Sequence, residues 1–314
     1  MTTSEVGAPL LDPDAATRIA ELGVVPPMRE RGLAAVRDAL ESAALPEMPS
    51  MADVEDRVID GPAGDIPLRI YRPSLDLAAP AMVYFHGGGM VLGSNQSFEP
   101  LARNLADKSG ATVISVGYHL APECPPPAQF DDAYLGTSWV AAHAADLGVD
   151  TSRLAVAGDS AGGGLAAAVA LAARDRGGPD LFAQVLMYPG LDKDLTVPSV
   201  KALPDAPLLS LVDIEYMHEL ADGPEHPYAV PARAANLSGL PQAIVVTAAA
   251  DPIRDWGERY AQRLQDAGVQ TTVTRYPGMY HGFLMRSDAT ARGRLAVAEI
   301  GALMRAKFAN PLPF

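Results

Sequence analysis

The apolar positions of the first fifty residues recur at helical spacing. Asp12 followed by Pro13 has the form of an N-cap with a first-turn proline, and the helix it opens is expected to stop near Gly23. A second amphipathic helix is predicted from Met28 to Leu45, with Leu33, Val36 and Leu40 at helical spacing. From Val54 the pattern is that of strands: DRVID (56–60) and PLRIYRP (67–73) flank the turn-forming GPAGD and read as a hairpin. Apolar runs then alternate with helical stretches. AMVYFH (81–86), a helix from Pro100 to Lys108, ATVISVGY (111–118), a helix near Ala133 to Ala145, RLAVAG (153–158) and a helix from Ala161 to Arg174 follow in turn. This alternation implies an α/β fold, a mostly parallel sheet with helices on both faces, because parallel strands need crossovers and the crossovers cover the sheet. AQVLMYP (183–189), AIVVTAA (243–249) and QTTVTRYP (270–277) read as later strands.

One segment breaks the alternation. Leu195 to Gly223 lies between two strands and contains a helix opened by Ser210, with Asp213 three residues on. The expected organisation is therefore an N-terminal helical segment (1–50), a core (51–194 and 224–314) and an insertion (195–223). The N-terminal segment and the insertion are expected to form a helical cap over the carboxyl ends of the strands, where open α/β sheets bind ligands. There is no internal repeat and no low-complexity tract.

Composition narrows the class of partner. Hydrophobic residues make up 48% of the 314 and charged residues 20%, which is ordinary for a folded globular protein. A formal net charge of −14 argues against nucleic acid and against an anionic membrane surface, since phosphates are bound by clustered Lys and Arg. Cys124 is the single cysteine, so no intrachain disulfide can form. The N-terminal stretch is acidic and lacks a signal-peptide core, and the longest apolar run, Leu165 to Ala173, is well short of the roughly 18 residues of a membrane span. A cytoplasmic protein without a membrane span is expected.

GDSAG (158–162) is the strongest chemical signal. It matches the GxSxG nucleophile elbow and stands where an elbow must stand, after a strand and before a helix. Ser160 would project at a helix N-terminus, where backbone N–H groups favour developing negative charge. The plain alternative is a glycine-rich helix start packed closely on the sheet. HGGG (86–89) directly follows the strand AMVYF, and such loops donate N–H groups to an oxyanion. The donors are expected to be Gly87, Gly88 and Ala161. No GxGxxG register fits HGGGMVLG, and no GK[ST] follows, so neither a dinucleotide loop nor a P-loop is present.

A serine hydroxyl needs a base, and in this kind of sheet the chain order is serine, acid, histidine. Among six histidines, His281 lies beyond the last predicted strand and is the candidate base. Asp251, at the end of AIVVTAAA, is the candidate acid. Asp255 competes, but four residues on it reads as a first-turn helix acid. No HExxH pair or cysteine cluster offers metal-ligand spacing, so chemistry without metal or cofactor is expected.

HGGG, YHLAPE (118–123), GDSAGG, LSGLP (237–241), DPIRD (251–255) and YHGF (280–283) occur in this order, and together they resemble the hormone-sensitive lipase-like carboxylesterases. The resemblance implies an α/β-hydrolase fold with a helical cap, a catalytic triad of Ser160, Asp251 and His281, and hydrolysis of short to medium acyl esters without a cofactor. It also implies a homodimer, and a substrate pocket that includes Met90, Asp159 and Trp256. Met90 stands where the family commonly has an aromatic residue, and Trp256 where it favours Glu. Gly117 and His119 replace an Asp and Arg pair, so a local salt bridge is expected to be missing. Two other classes resemble the same family: the plant gibberellin receptor, a binding module without a working triad histidine, and legume dehydratases with an altered nucleophile. This chain retains both His281 and Ser160.

Overall fold

The hairpin of DRVID and PLRIYRP forms one edge of an eight-stranded sheet in the computed structural model, which describes residues 10–224 and 226–311. The strands are β1 (Asp53–Gly61), β2 (Gly64–Arg72), β3 (Ala79–Phe85), β4 (Thr112–Val116), β5 (Val149–Asp159), β6 (Ala183–Met187), β7 (Gln242–Ala250) and β8 (Thr271–Tyr280). Their order is β1-β2-β4-β3-β5-β6-β7-β8. β1 and β2 pair antiparallel, as do β2 and β4, and every later pairing is parallel.

Helices cover both faces: α1 (Pro13–Leu22), α2 (Met28–Arg31), α3 (Leu33–Glu41), α4 (Glu99–Ser109), α5 (Ala128–Ala142), α6 (Ala144–Leu147), α7 (Ala161–Arg176), α8 (Pro198–Ala202), α9 (Leu211–Leu220), α10 (Arg254–Asp266) and α11 (Ala291–Ala309). One apolar layer joins the sheet to α5, α7 and α10, and the other joins it to α4 and α11. α7 is buried from Ala161 to Ala173, which its Gly and Ala content permits, since small side chains let a helix sit between the sheet and a second helix. Among the described residues no helix is long and apolar enough to cross a membrane.

The chain runs from β3 outward to β4, then returns across β3 to β5. The loops leaving β3 and β5 therefore diverge, and a crevice opens between them at the strand ends. Phe85 and Gly158 are register partners, which sets HGGG beside Ser160.

The predicted helix from Met28 to Leu45 is two helices. Gly32 separates α2 from α3 with φ 80° and ψ 138°, a conformation that glycine adopts without steric cost. The N-terminal segment divides here: residues 1–9 lie outside the described residues, and α1 packs beside β8 and α11. Asp12 N–H donates to Gly278 O at 3.0 Å, and Asp14 Oδ2 accepts from Ala291 N at 2.7 Å. Met28 and Val36, from α2 and α3, instead share an apolar cluster with Val91, Leu92 and Met217. Ser210 caps α9 by accepting from Asp213 N at 3.3 Å, and Asp213 Oδ1 accepts from Met28 N at 2.7 Å, tying α2 to the insertion.

Candidate active site

Ser160 sits at the turn from β5 to α7 with φ 53° and ψ −120°, a region costing on the order of 1–3 kcal/mol for a non-glycine residue. The flanking glycines are required by backbone contact. A Cβ on Gly158 would press on the Gly162 carbonyl, and one on Gly162 on the Phe85 carbonyl, both far inside van der Waals distance. The strained turn is held by Ser160 N–H donating to Met187 O at 2.9 Å and by Gly190 N–H donating to Ser160 O at 2.8 Å.

β7 and β8 deliver the other two groups. Ala250 pairs with Tyr280, so the next residues, Asp251 and His281, emerge side by side. His281 Nδ1 lies 2.8 Å from Asp251 Oδ2, and His281 Nε2 lies 2.8 Å from Ser160 Oγ. A carboxylate only accepts, so Nδ1 carries the proton and Nε2 offers its lone pair to the serine hydroxyl. Asp251 is fully buried, and its second oxygen accepts from Ile253 N at 2.9 Å. Tyr188 stands edge-on to the imidazole with ring centroids 5.0 Å apart. Asp255 is elsewhere: in the first turn of α10, it accepts from Ser199 N at 2.9 Å and pairs with Arg254.

The glycine loop corrects two expectations. Gly87 N–H donates to Asp159 Oδ1 at 2.9 Å, so it is engaged and unavailable to an oxyanion. The N–H groups of Gly88, Gly89 and Ala161 donate to no partner among the described residues. Gly88 and Gly89 have φ 102° and 63°, and side chains there would strike Leu92 and Met217. Asp159 does not line the pocket. It is buried behind the loop, where Tyr84 also donates its hydroxyl to Oδ1 at 2.6 Å. Burial pushes the Asp159 carboxyl up to about 6, against the opposing effect of the Tyr84 and Gly87 donors. His86 Nδ1–H donates to Gly87 O at 2.8 Å, and Tyr118 donates its hydroxyl to His86 O at 2.7 Å, so the loop is braced from several sides. Burial takes the His86 imidazole down to about 4, which leaves it neutral near pH 7.

Ser160 opens into a cleft of about 1130 Å³ including its mouth. Met90 and Trp256 line it, and Trp256 stacks on His218 with centroids 6.2 Å apart. Met28, Leu33 and Leu40 of the cap do not line the cleft but pack in the layer behind it, and Leu209, Ile214 and Met217 face it. Where Gly117 and His119 leave the expected Asp and Arg pair missing, His119 N–H and Nδ1 lie 2.8 and 2.7 Å from Asp132 Oδ2, and a Cβ at 117 would crowd Pro67. Gly89 also lines the cleft, and its mark in the sequence is the third glycine of HGGG.

A family model for the alpha/beta hydrolase fold matches residues 82–285. The esterase LipI of Mycobacterium tuberculosis is 42% identical over 284 residues, covering 85% of this chain and 88% of that protein. The arylesterase of Saccharolobus solfataricus is 36% identical over 85% of this chain and 87% of its own length. Among solved structures, the hyperthermophilic esterase from the archaeon Pyrobaculum calidifontis is 39% identical and superposes with a TM-score of 0.90, covering 95% of this chain and 99% of that one. With its match to the fold model and its likeness to these enzymes, the chain belongs to the α/β-hydrolase-fold family and, within it, to the hormone-sensitive lipase-like carboxylesterases.

Proposed function

We propose that the protein hydrolyses short to medium acyl carboxylic esters through an acyl-enzyme intermediate. The unbroken row Asp251, His281, Ser160, with both contacts at 2.8 Å, carries this reading. Ser160 Oγ attacks the ester carbonyl as His281 Nε2 takes its proton, and Asp251 stabilises the imidazolium without itself taking the proton. The tetrahedral oxyanion is met by the N–H groups of Gly88, Gly89 and Ala161, which need not reorganise at the moment of reaction. His281 then gives its proton to the departing alcohol. In the second half, His281 deprotonates water, which attacks the acyl carbon and releases the acid and the serine. α2, α3 and α9 act as the cap, excluding water from the acyl-enzyme. The reading includes a cytoplasmic location and a homodimer, which cell fractionation and sedimentation test.

The direct test is turnover of p-nitrophenyl acetate and butyrate, together with mass-spectrometric mapping of a small phosphonate. Stoichiometric label on Ser160 and release of nitrophenol are expected. A label on another residue, or turnover that survives loss of the Ser160 hydroxyl, overturns the assignment.

A further inference from the structure

The cleft does not end at the nucleophile. Ala161, Gly164, Leu165 and Ala168 line it at i, i+3, i+4 and i+7 on α7. At 1.5 Å per residue this stripe carries the cleft about 10 Å along the helix, away from Ser160. Gly164 and Ala168 leave the channel open, while Leu165, Leu209 and Ile214 give it apolar sides.

A wall of rings borders this arm. Phe130 and Tyr228 line the cleft and stack with centroids 5.2 Å apart, and His226 tilts against Phe130 at 4.7 Å. Arg176 lies on the other side of the wall. Its guanidinium carbon is 5.4 Å from the Phe130 ring, 5.3 Å from Tyr228 and 4.7 Å from Tyr134. Arg176 is exposed, and its guanidinium is attracted by the faces of these rings. It stands two turns beyond Ala168, and helical side chains lean back toward the N-terminus, so the rings it covers fall just past the end of the stripe.

We propose that this arm takes one straight apolar chain of the ester, and that the Phe130–Tyr228 wall, clamped from outside by Arg176, limits that chain to about eight carbons, the number that an extended chain fits into about 10 Å. The inference rests on the ester-hydrolase reading and adds a physical ruler to it. The chain is either the acyl or the alkyl part, and the two share this chemistry.

The test measures kcat/KM across two series, p-nitrophenyl esters of increasing acyl length and acetates of increasing alkyl length. In one series the wild type gains up to about fourfold per methylene until about eight carbons and then declines, fourfold being the transfer of one CH₂ out of water. Tyr228→Ala opens the wall, and the ratio of twelve- to four-carbon kcat/KM in that series rises about tenfold or more. Ala168→Leu fills the arm midway and lowers the eight- to four-carbon ratio by a similar factor. Arg176→Ala loosens the clamp and moves the first ratio in the same direction by about threefold. Tyr228 is half-buried in a loop and is the safer change, because truncating buried Phe130 threatens the fold. The series that responds identifies the chain. If both ratios stay within about twofold of wild type for Tyr228→Ala and Ala168→Leu in both series, the ruler is wrong. Failure of the ester reading shows differently, as a wild type that turns over no ester of any length.

Discussion

The floor of the cleft and its roof are held by different kinds of contact. On the floor, the turns that carry Ser160 and HGGG meet through backbone, and a single added methyl on Gly158 or Gly162 would enter a carbonyl oxygen. On the roof, α2, α3 and α9 meet through side chains: a small apolar cluster, an exposed Arg29–Glu219 pair, and Arg37 donating to Val91 O and Ala121 O, each at 2.8 Å. Backbone packed on backbone has no rotamer with which to yield, whereas an exposed ion pair contributes only about 0–1 kcal/mol. The floor therefore admits little change and carries the reaction class. The roof and the ring-walled arm can be rebuilt one residue at a time and carry the choice of ester.

The largest effects should come from the floor. Ser160→Ala is expected to lower kcat by about 10⁴ or more with an unchanged circular-dichroism spectrum. A variant that keeps a tenth of wild-type activity would move the nucleophile elsewhere. Asp251→Asn should cost about 10³–10⁴ in kcat, because the amide would favour the wrong imidazole tautomer. Asp255→Asn should cost less than about tenfold, since Asp255 bonds Ser199 and Arg254, and equal losses at the two positions would break the distinction.

Asp159→Asn sharpens the comparison through pH, because it removes a charge from beneath the floor while keeping an acceptor for Tyr84 and Gly87. The folded carboxyl is raised to about 6 from 3.8. Its stabilising contribution is fully present below the lower value and is lost as pH rises through the upper one. The wild type should thus lose up to about 3 kcal/mol relative to the Asn variant between pH 4 and 7, measured by urea unfolding. A difference that does not change with pH would contradict the burial of this group.

The smallest effect belongs to the roof. Arg37→Ala removes the bonds to Val91 O and Ala121 O and the pair with Glu123, and should lower stability by about 1–2 kcal/mol and raise KM several-fold. A loss in kcat as large as that of Asp251→Asn would mean that the roof takes part in the chemistry.

The order of strands and helices, the elbow and the candidate groups Ser160, Asp251 and His281 were legible in the sequence. Each has a local signature: alternating apolar runs, a glycine pair about a serine, an acid and a histidine each placed just past a strand. The break at Gly32 was also written there, but the apolar spacing runs through it, and only the left-handed backbone marks two helices. What the tertiary structure alone decided concerns groups distant along the chain. Which N–H of HGGG is free depends on a carboxylate 72 residues away, so Gly87 was misread as a donor and Asp159 as a pocket wall. The roof that reaches the cleft is α9 and not α3, because α3 packs one layer further out. The wall bordering the arm is assembled from Phe130 and Tyr228 and braced by Arg176, three segments that meet only in the fold. Periodicity and turn chemistry act over a few residues and survive in the sequence; hydrogen-bond satisfaction and the closing of a cavity depend on through-space distances, which exist only once the chain has packed.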